Sequence, residues 1–95
     1  MRLIPTPGYD AAYKRLSYHQ KELVDLALEL FEEDPFYEKL HNHELLSPMN
    51  GKWAFSADKD LRVIYRPLGG WDKPLERIEI LTIDVGRHED VYEPR

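Results

Sequence analysis

The chain has 95 residues, no cysteine, a formal charge of −5, 42% hydrophobic residues and a mean hydropathy of −0.61. That length allows one domain spanning residues 1–95 with a thin core, and the missing cysteines exclude disulfide staples and thiolate metal sites. No apolar run approaches the ~20 residues of a membrane span. Pro5 also interrupts the apolar start too early for a secretory leader, so a cytoplasmic location without membrane attachment is expected.

The acidic balance argues against a uniformly basic nucleic-acid surface. Its distribution is uneven. Residues 1–50 carry 5 basic and 9 acidic side chains, a balance of −4; residues 51–95 carry 8 and 9, a balance of −1. Arg62, Arg66 and Arg87 leave room for a local positive potential in the second half.

Arg2 to Ile4 has the length of a short strand, stopped by Pro5 and Pro7. Thr6 is placed to cap a helix with proline in its first turn. Tyr9, Ala12, Tyr13 and Leu16 then follow at i, i+3, i+4 and i+7, which predicts an amphipathic helix. Ser17 and Gln20 match a capping box, opening a second helix whose predicted apolar stripe is Leu23, Leu26, Ala27 and Leu30, widened by Val24, Leu28 and Phe31. Asp34-Pro35 should end it, because the residue before proline avoids the α region. Glu22, Asp25, Glu29 and Glu32 share one face of this helix, read either as a solvated face or as a stripe for a basic partner.

Phe36 to Leu46 is mixed, with room for one short helical turn, and Ser47 to Gly51 is a turn. The period then becomes two. Trp53, Phe55 and Ala57 alternate with Ala54 and Ser56. After the turn at Asp58-Lys59-Asp60, Leu61, Val63 and Tyr65 alternate with Arg62, Ile64 and Arg66. Pro67 to Pro74 reads as a loop and Glu76 to Val85 as a third strand, apolar on both faces as a covered central strand should be. The expected class is α+β: a helical hairpin packed on a mainly antiparallel, twisted sheet of three to four strands, ordered β-α-α-β-β-β.

Arg62 lies on the face opposite Leu61, Val63 and Tyr65. Its planar fork suits phosphate oxygens and developing phosphorane charge; the alternative is an ordinary ion pair with Glu79. His88 follows the end of the last strand, where a histidine can move protons near neutral pH, unless it is an ordinary loop residue. Tyr92 either stacks on a base or anchors the C-terminal segment. His41 and His43 are too few for a metal site by themselves, and His43 is the better proton-transfer candidate. No phosphate-binding glycine loop, nucleophile elbow or zinc-helix motif occurs.

Taken in order, Lys39-Leu40-His41-Asn42-His43-Glu44-Leu45, Gly51-Lys52-Trp53, Asp60-Leu61-Arg62-Val63-Ile64-Tyr65 and Val85-Gly86-Arg87-His88 through Val91-Tyr92 resemble the RelE/YafQ superfamily of bacterial type II toxins. The resemblance covers residues 34–92 and implies a ribosome-dependent, metal-independent mRNA endoribonuclease without cofactors, restrained by a cognate antitoxin. It implies catalytic roles for Arg62, His88, His43 and Asp60, and substrate contacts from Tyr92, Arg87, Lys52 and Trp53. Two departures stand out. Ser56 occupies the place of a second strand histidine in the YafQ branch, and Trp53 that of an arginine or tyrosine in many members. The same scaffold also serves ParE-type gyrase poisons, and an inactive homologue that only binds an antitoxin would share it.

Overall fold

The computed structural model describes residues 1–92. Strand β1 (Arg2–Pro5) leads into α1 (Pro7–Lys14) and α2 (Tyr18–Glu33). Strands β2 (His43–Glu44), β3 (Trp53–Asp58), β4 (Leu61–Leu68) and β5 (Glu79–Arg87) follow, and α3 (His88–Tyr92) ends the described chain. The strands form one sheet in the order β1-β5-β4-β3-β2, antiparallel except where β1 runs parallel to β5.

The local signals explain the helix starts. The Thr6 side chain accepts the Tyr9 amide at 3.1 Å, with Pro7 in the first turn of α1. At α2 the Ser17 hydroxyl accepts from the Gln20 amide at 3.1 Å while the Gln20 side chain accepts from the Ser17 amide at 2.9 Å, a complete capping box. Asp34 closes α2 ahead of Pro35.

Both helices cover one face of the sheet, α1 against β5 and α2 against β3 and β4. Val24, Ala27 and Phe31 of α2 meet Phe55, Leu61, Val63 and Tyr65 in the main core. Phe31 stacks on Phe55 at 4.4 Å between ring centroids and meets Tyr65 edge-on at 4.9 Å. Each fully buried aromatic or branched side chain here contributes about 1.5–3 kcal/mol of transfer free energy.

Three features differ from the sequence-based expectation. The sheet has five strands rather than three to four: β2 holds only two residues, too few to show alternation, and exists because it pairs with β3. The buried stripe of α2 is centred on Val24, Ala27 and Phe31, leaving Leu26 and Leu30 59% and 43% exposed. The last strand starts at Glu79, after a 3-10 turn over Leu75–Arg77, and runs on through Gly86 to Arg87. No described helix is long and apolar enough to cross a membrane.

Candidate active site

The second face of the sheet carries a smaller core. Ala54 of β3, Ile64 of β4 and Val91 of α3 are buried together, with Leu45, Met49, Ile83 and Tyr92 packed around them. Helix α3 packs closely over this face at Gly86. A Cβ on Gly86 would meet Val91 Cγ1 at 3.4 Å and Asp90 Cβ at 4.0 Å. The chain therefore leaves β5 and turns straight back across the sheet.

Arg62 opens onto this face. It lies opposite Gly86 on β5 and opposite Ser56 on β3, and directly opposed residues of antiparallel strands share a face. Its guanidinium is not paired with Glu79, which instead binds Arg2 at 3.2 Å. Arg62 Nη1 donates to the carbonyls of Asp58 (2.9 Å), Lys59 (3.1 Å) and Leu61 (3.3 Å). The β3–β4 turn thus fixes one end of the fork.

His88 and Tyr92 are i and i+4 on α3, and their rings meet at 4.4 Å between centroids in a T-shaped contact. His88 is exposed and Tyr92 half-buried. The Tyr92 hydroxyl is buried without a completed hydrogen bond. Burial pushes its pKa above the ordinary phenol value, and the nearby Arg62 guanidinium acts in the opposite direction by favouring the phenolate. Tyr92 therefore neighbours both the Arg62 guanidinium and the His88 ring.

His43 shares this face at a distance. It pairs with Ala54, which pairs with Ile64, and Arg62 lies two residues further along β4. Strand spacing and rise place the Cα atoms of His43 and Arg62 about 12 Å apart. The His43 ring is exposed, with Nδ1 2.7 Å from the His41 carbonyl oxygen. Lys52 belongs to the same face by alternation with Ala54, at the far end of β3. Among the described residues no group of three or more metal-ligating side chains converges.

Asp60, Arg87 and Trp53 go elsewhere. Arg87 Nε lies 3.4 Å from the Asp60 carboxylate and Nη2 lies 2.9 Å from Glu89, all exposed. Arg87 stands opposite Leu61, on the helix-covered side. Asp60 thus engages Arg87 rather than an imidazole or Arg62, although its backbone carbonyl accepts the His88 amide at 2.9 Å. Trp53 packs edge-on against Phe36 and Trp71, at 6.2 and 5.9 Å, in the aromatic cluster beside the main core.

Sequence reasoning missed two contributors. The backbone carbonyls of residues 58 to 61 carry no side-chain signal. The second is α3, signalled by His88, Val91 and Tyr92 at i, i+3 and i+4, a helical spacing just beyond the last strand.

No protein-family model matches this sequence, and no curated protein does. Solved structures do. YafQ from E. coli strain BL21(DE3) superposes with a TM-score of 0.74 at 15% identity, covering 98% of this chain and 100% of that one. The YoeB/ParE toxin from Agrobacterium tumefaciens gives 0.69 at 20% identity, covering 93% and 99%. The toxin–antitoxin complex RelBE2 from Mycobacterium tuberculosis gives 0.67 at 15%, covering 90% and 95%. At such low identity the likeness speaks for architecture: this chain has the fold of the RelE/YafQ-type toxins.

Proposed function

We propose that the chain is the toxin of a type II toxin–antitoxin system, an endoribonuclease that cleaves mRNA on the ribosome without a metal. The observation that carries this reading is that Tyr92 lies beside both the Arg62 guanidinium and the His88 ring, on the sheet face that α1 and α2 do not cover. The solved toxins of the same fold lend the scaffold, and one of those structures, RelBE2, is a toxin–antitoxin complex, which supports a cognate antitoxin as partner. A cytoplasmic location goes with ribosomes and mRNA as partners.

In this reading a histidine takes the proton from a ribose 2′-OH as that oxygen attacks the adjacent phosphorus. His88 is the better base, being the imidazole that the fold holds beside the cation. Arg62 stabilises negative charge on the phosphoryl oxygens while Nη1 stays on the turn. The 5′-oxygen leaves with a proton from a second group, for which His43 is the candidate on the same face. Its ~12 Å Cα separation from Arg62 leaves room for a dinucleotide step between two extended side chains. Tyr92 holds the His88 ring in place more than it offers a free surface for stacking, since half of it is buried. Lys52 adds a cation near the edge of the face.

The test is expression without an antitoxin, with transcript 5′ ends mapped over time. New ends within translated codons are expected in the parent and not in Arg62→Ala or His88→Ala. Intact messages with DNA damage would instead assign the chain to gyrase poisoning. The charge of −5 favours one competing reading, a homologue that binds only an antitoxin. Ribosome binding at graded salt separates it, because phosphate-driven association weakens steeply as salt rises.

A further inference from the structure

Among the described residues, one flank of α2 is left without a partner. His19, Leu23, Leu26 and Leu30 fall within a 60° arc of the helix at 100° per residue, a row roughly 16 Å long by the α-helical rise. Leu23 is half-buried against the core, while Leu26 and Leu30 are 59% and 43% exposed. Leucines at i, i+3 and i+7 form a seam of the kind that seats another helix. Glu22, Glu29 and Glu33 run along its solvent side, all exposed.

The row opens at its N-terminal end into a cleft of about 310 Å³, lined by His19 and Leu23 from α2 and by Asp58, Asp60 and Arg87 from the far side. Apolar ridge, acidic rim and acidic-ended cleft form one continuous surface, because His19 and Leu23 belong to both row and cleft. Repeated carboxylates along an apolar seam select a partner with the opposite charge beside its own apolar row.

We propose that this flank is a docking surface for an amphipathic helix of a partner protein, one with an apolar i, i+3, i+7 row flanked by Lys and Arg. The partner's leucine-like row lies along Leu23, Leu26 and Leu30. Its flanking cations face Glu22, Glu29 and Glu33, and one long basic side chain enters the cleft toward Asp58, beside the Asp60–Arg87 ion pair. The cleft walls suit such a side chain: Leu23 contacts the aliphatic stem while the Asp58 carboxylate meets the head.

The leucine row lies on the helix-covered side of the sheet, whereas the cleft reaches the turn whose Asp58 and Asp60 carbonyls hold Arg62 and His88, so the row variant is the one that separates docking from the nuclease reading. RNA cleavage by Leu26→Gln/Leu30→Gln without any partner is expected to equal the parent's. A display library of 22-residue helices, with a fixed leucine row and every flanking position randomised, is selected against the full chain. The expected pool is rich in Lys and Arg at the flanks. Its members should bind at least tenfold more weakly to Leu26→Gln/Leu30→Gln and to Asp58→Asn/Asp60→Asn, and more weakly as salt rises. Glutamine keeps good helix propensity, so an unchanged unfolding curve verifies that the row variant folds. Failure to enrich binders, enrichment of acidic or uncharged flanks, or undiminished binding to both variants would overturn the proposal. So would a dimer of the parent, seen by sedimentation, that the leucine variant abolishes, since that would give the row to a second copy of the chain.

Discussion

The Asp60 carbonyl accepts the His88 amide at 2.9 Å, and two residues earlier in the same turn the Asp58 carbonyl accepts Arg62 Nη1, also at 2.9 Å. Two groups from distant parts of the sequence are therefore indexed to one tight turn. The relative position of guanidinium and imidazole depends on that turn more than on any contact between the two.

From this arrangement, Arg62→Ala should lower RNA cleavage by roughly 10²–10³, the usual loss when one donor to a developing anion is removed. Arg62→Lys should recover only part, because an ammonium cannot hold the turn carbonyls and present a planar fork together. Single-turnover cleavage of ribosome-bound message is the measurement. Equal rates for Lys and Arg would show that charge alone suffices.

Asp60 offers a contrasting case. Were its carboxylate an acid or base, Asp60→Asn would cost about as much as loss of a general acid–base group, on the order of 10²–10⁴. The carboxylate instead faces Arg87 on the other side, while the backbone carbonyl that holds His88 survives substitution. Less than a tenfold loss of cleavage is expected. Stability should change by under about 1 kcal/mol, as for exposed ion pairs.

Much of the scaffold was legible in the sequence because its signals are local. Thr6, Ser17, Gln20 and Pro35 each act within one turn of chain, and the alternation in β3 and β4 follows from one buried face. What escaped depends on the rest of the molecule. Two-residue β2 has no pattern of its own. The buried stripe of α2 is narrower than its apolar spacing predicts, because Leu26 and Leu30 are as apolar as buried residues and only the position of the sheet decides which leucines it covers. The candidate site was half legible: residue types pointed to Arg62 and His88, but not to the carbonyls that orient them. Nor could composition reveal that Asp60 and Arg87 satisfy each other.

Gly86 should divide small from large replacements. Alanine places a Cβ 3.4 Å from Val91 Cγ1, at the edge of ordinary contact, and β5 is extended there, so Gly86→Ala is expected to fold and cleave RNA. Valine adds two further methyl groups where α3 lies, and overpacking of this kind costs about 1–3 kcal/mol. Gly86→Val should release α3, lose His88 and Tyr92 from the site, and abolish cleavage while the main core survives. Amide exchange confined to residues 88–92 would confirm the mechanism; wild-type protection in Gly86→Val would refute it.

The main core should depend heavily on Phe31, which is fully buried and touches the rings of Phe55, Tyr65 and Trp71. Phe31→Ala is expected to cost about 3–5 kcal/mol, a large share of the stability of so small a domain. Denaturant unfolding measures it. A loss below about 1 kcal/mol would mean that the aromatic cluster collapses into the vacated space.

Alkaline pH should expose the buried phenols. Burial raises the pKa of Tyr9, Tyr65 and Tyr92 above the ordinary value of 10.0, with Asn42 at Tyr65 and Arg62 at Tyr92 acting in the opposite direction. Above pH 10 the unfolded chain releases these protons while the folded chain keeps them. The unfolded state then binds fewer protons, so the phenols' contribution to stability is constant below that pH and falls as pH rises through it. The Tyr9 hydroxyl is buried without a hydrogen-bond partner, so Tyr9→Phe removes an unsatisfied polar group and should leave neutral-pH stability equal or higher. The same variant should flatten the alkaline slope. Urea midpoints from pH 7 to pH 11 provide the measurement, and an unaltered slope in Tyr9→Phe would show that this phenol titrates alike in both states. Arg62→Ala should in turn raise the Tyr92 pKa further, since the cation that favours the phenolate is gone, and ultraviolet titration of tyrosinate reads that shift directly.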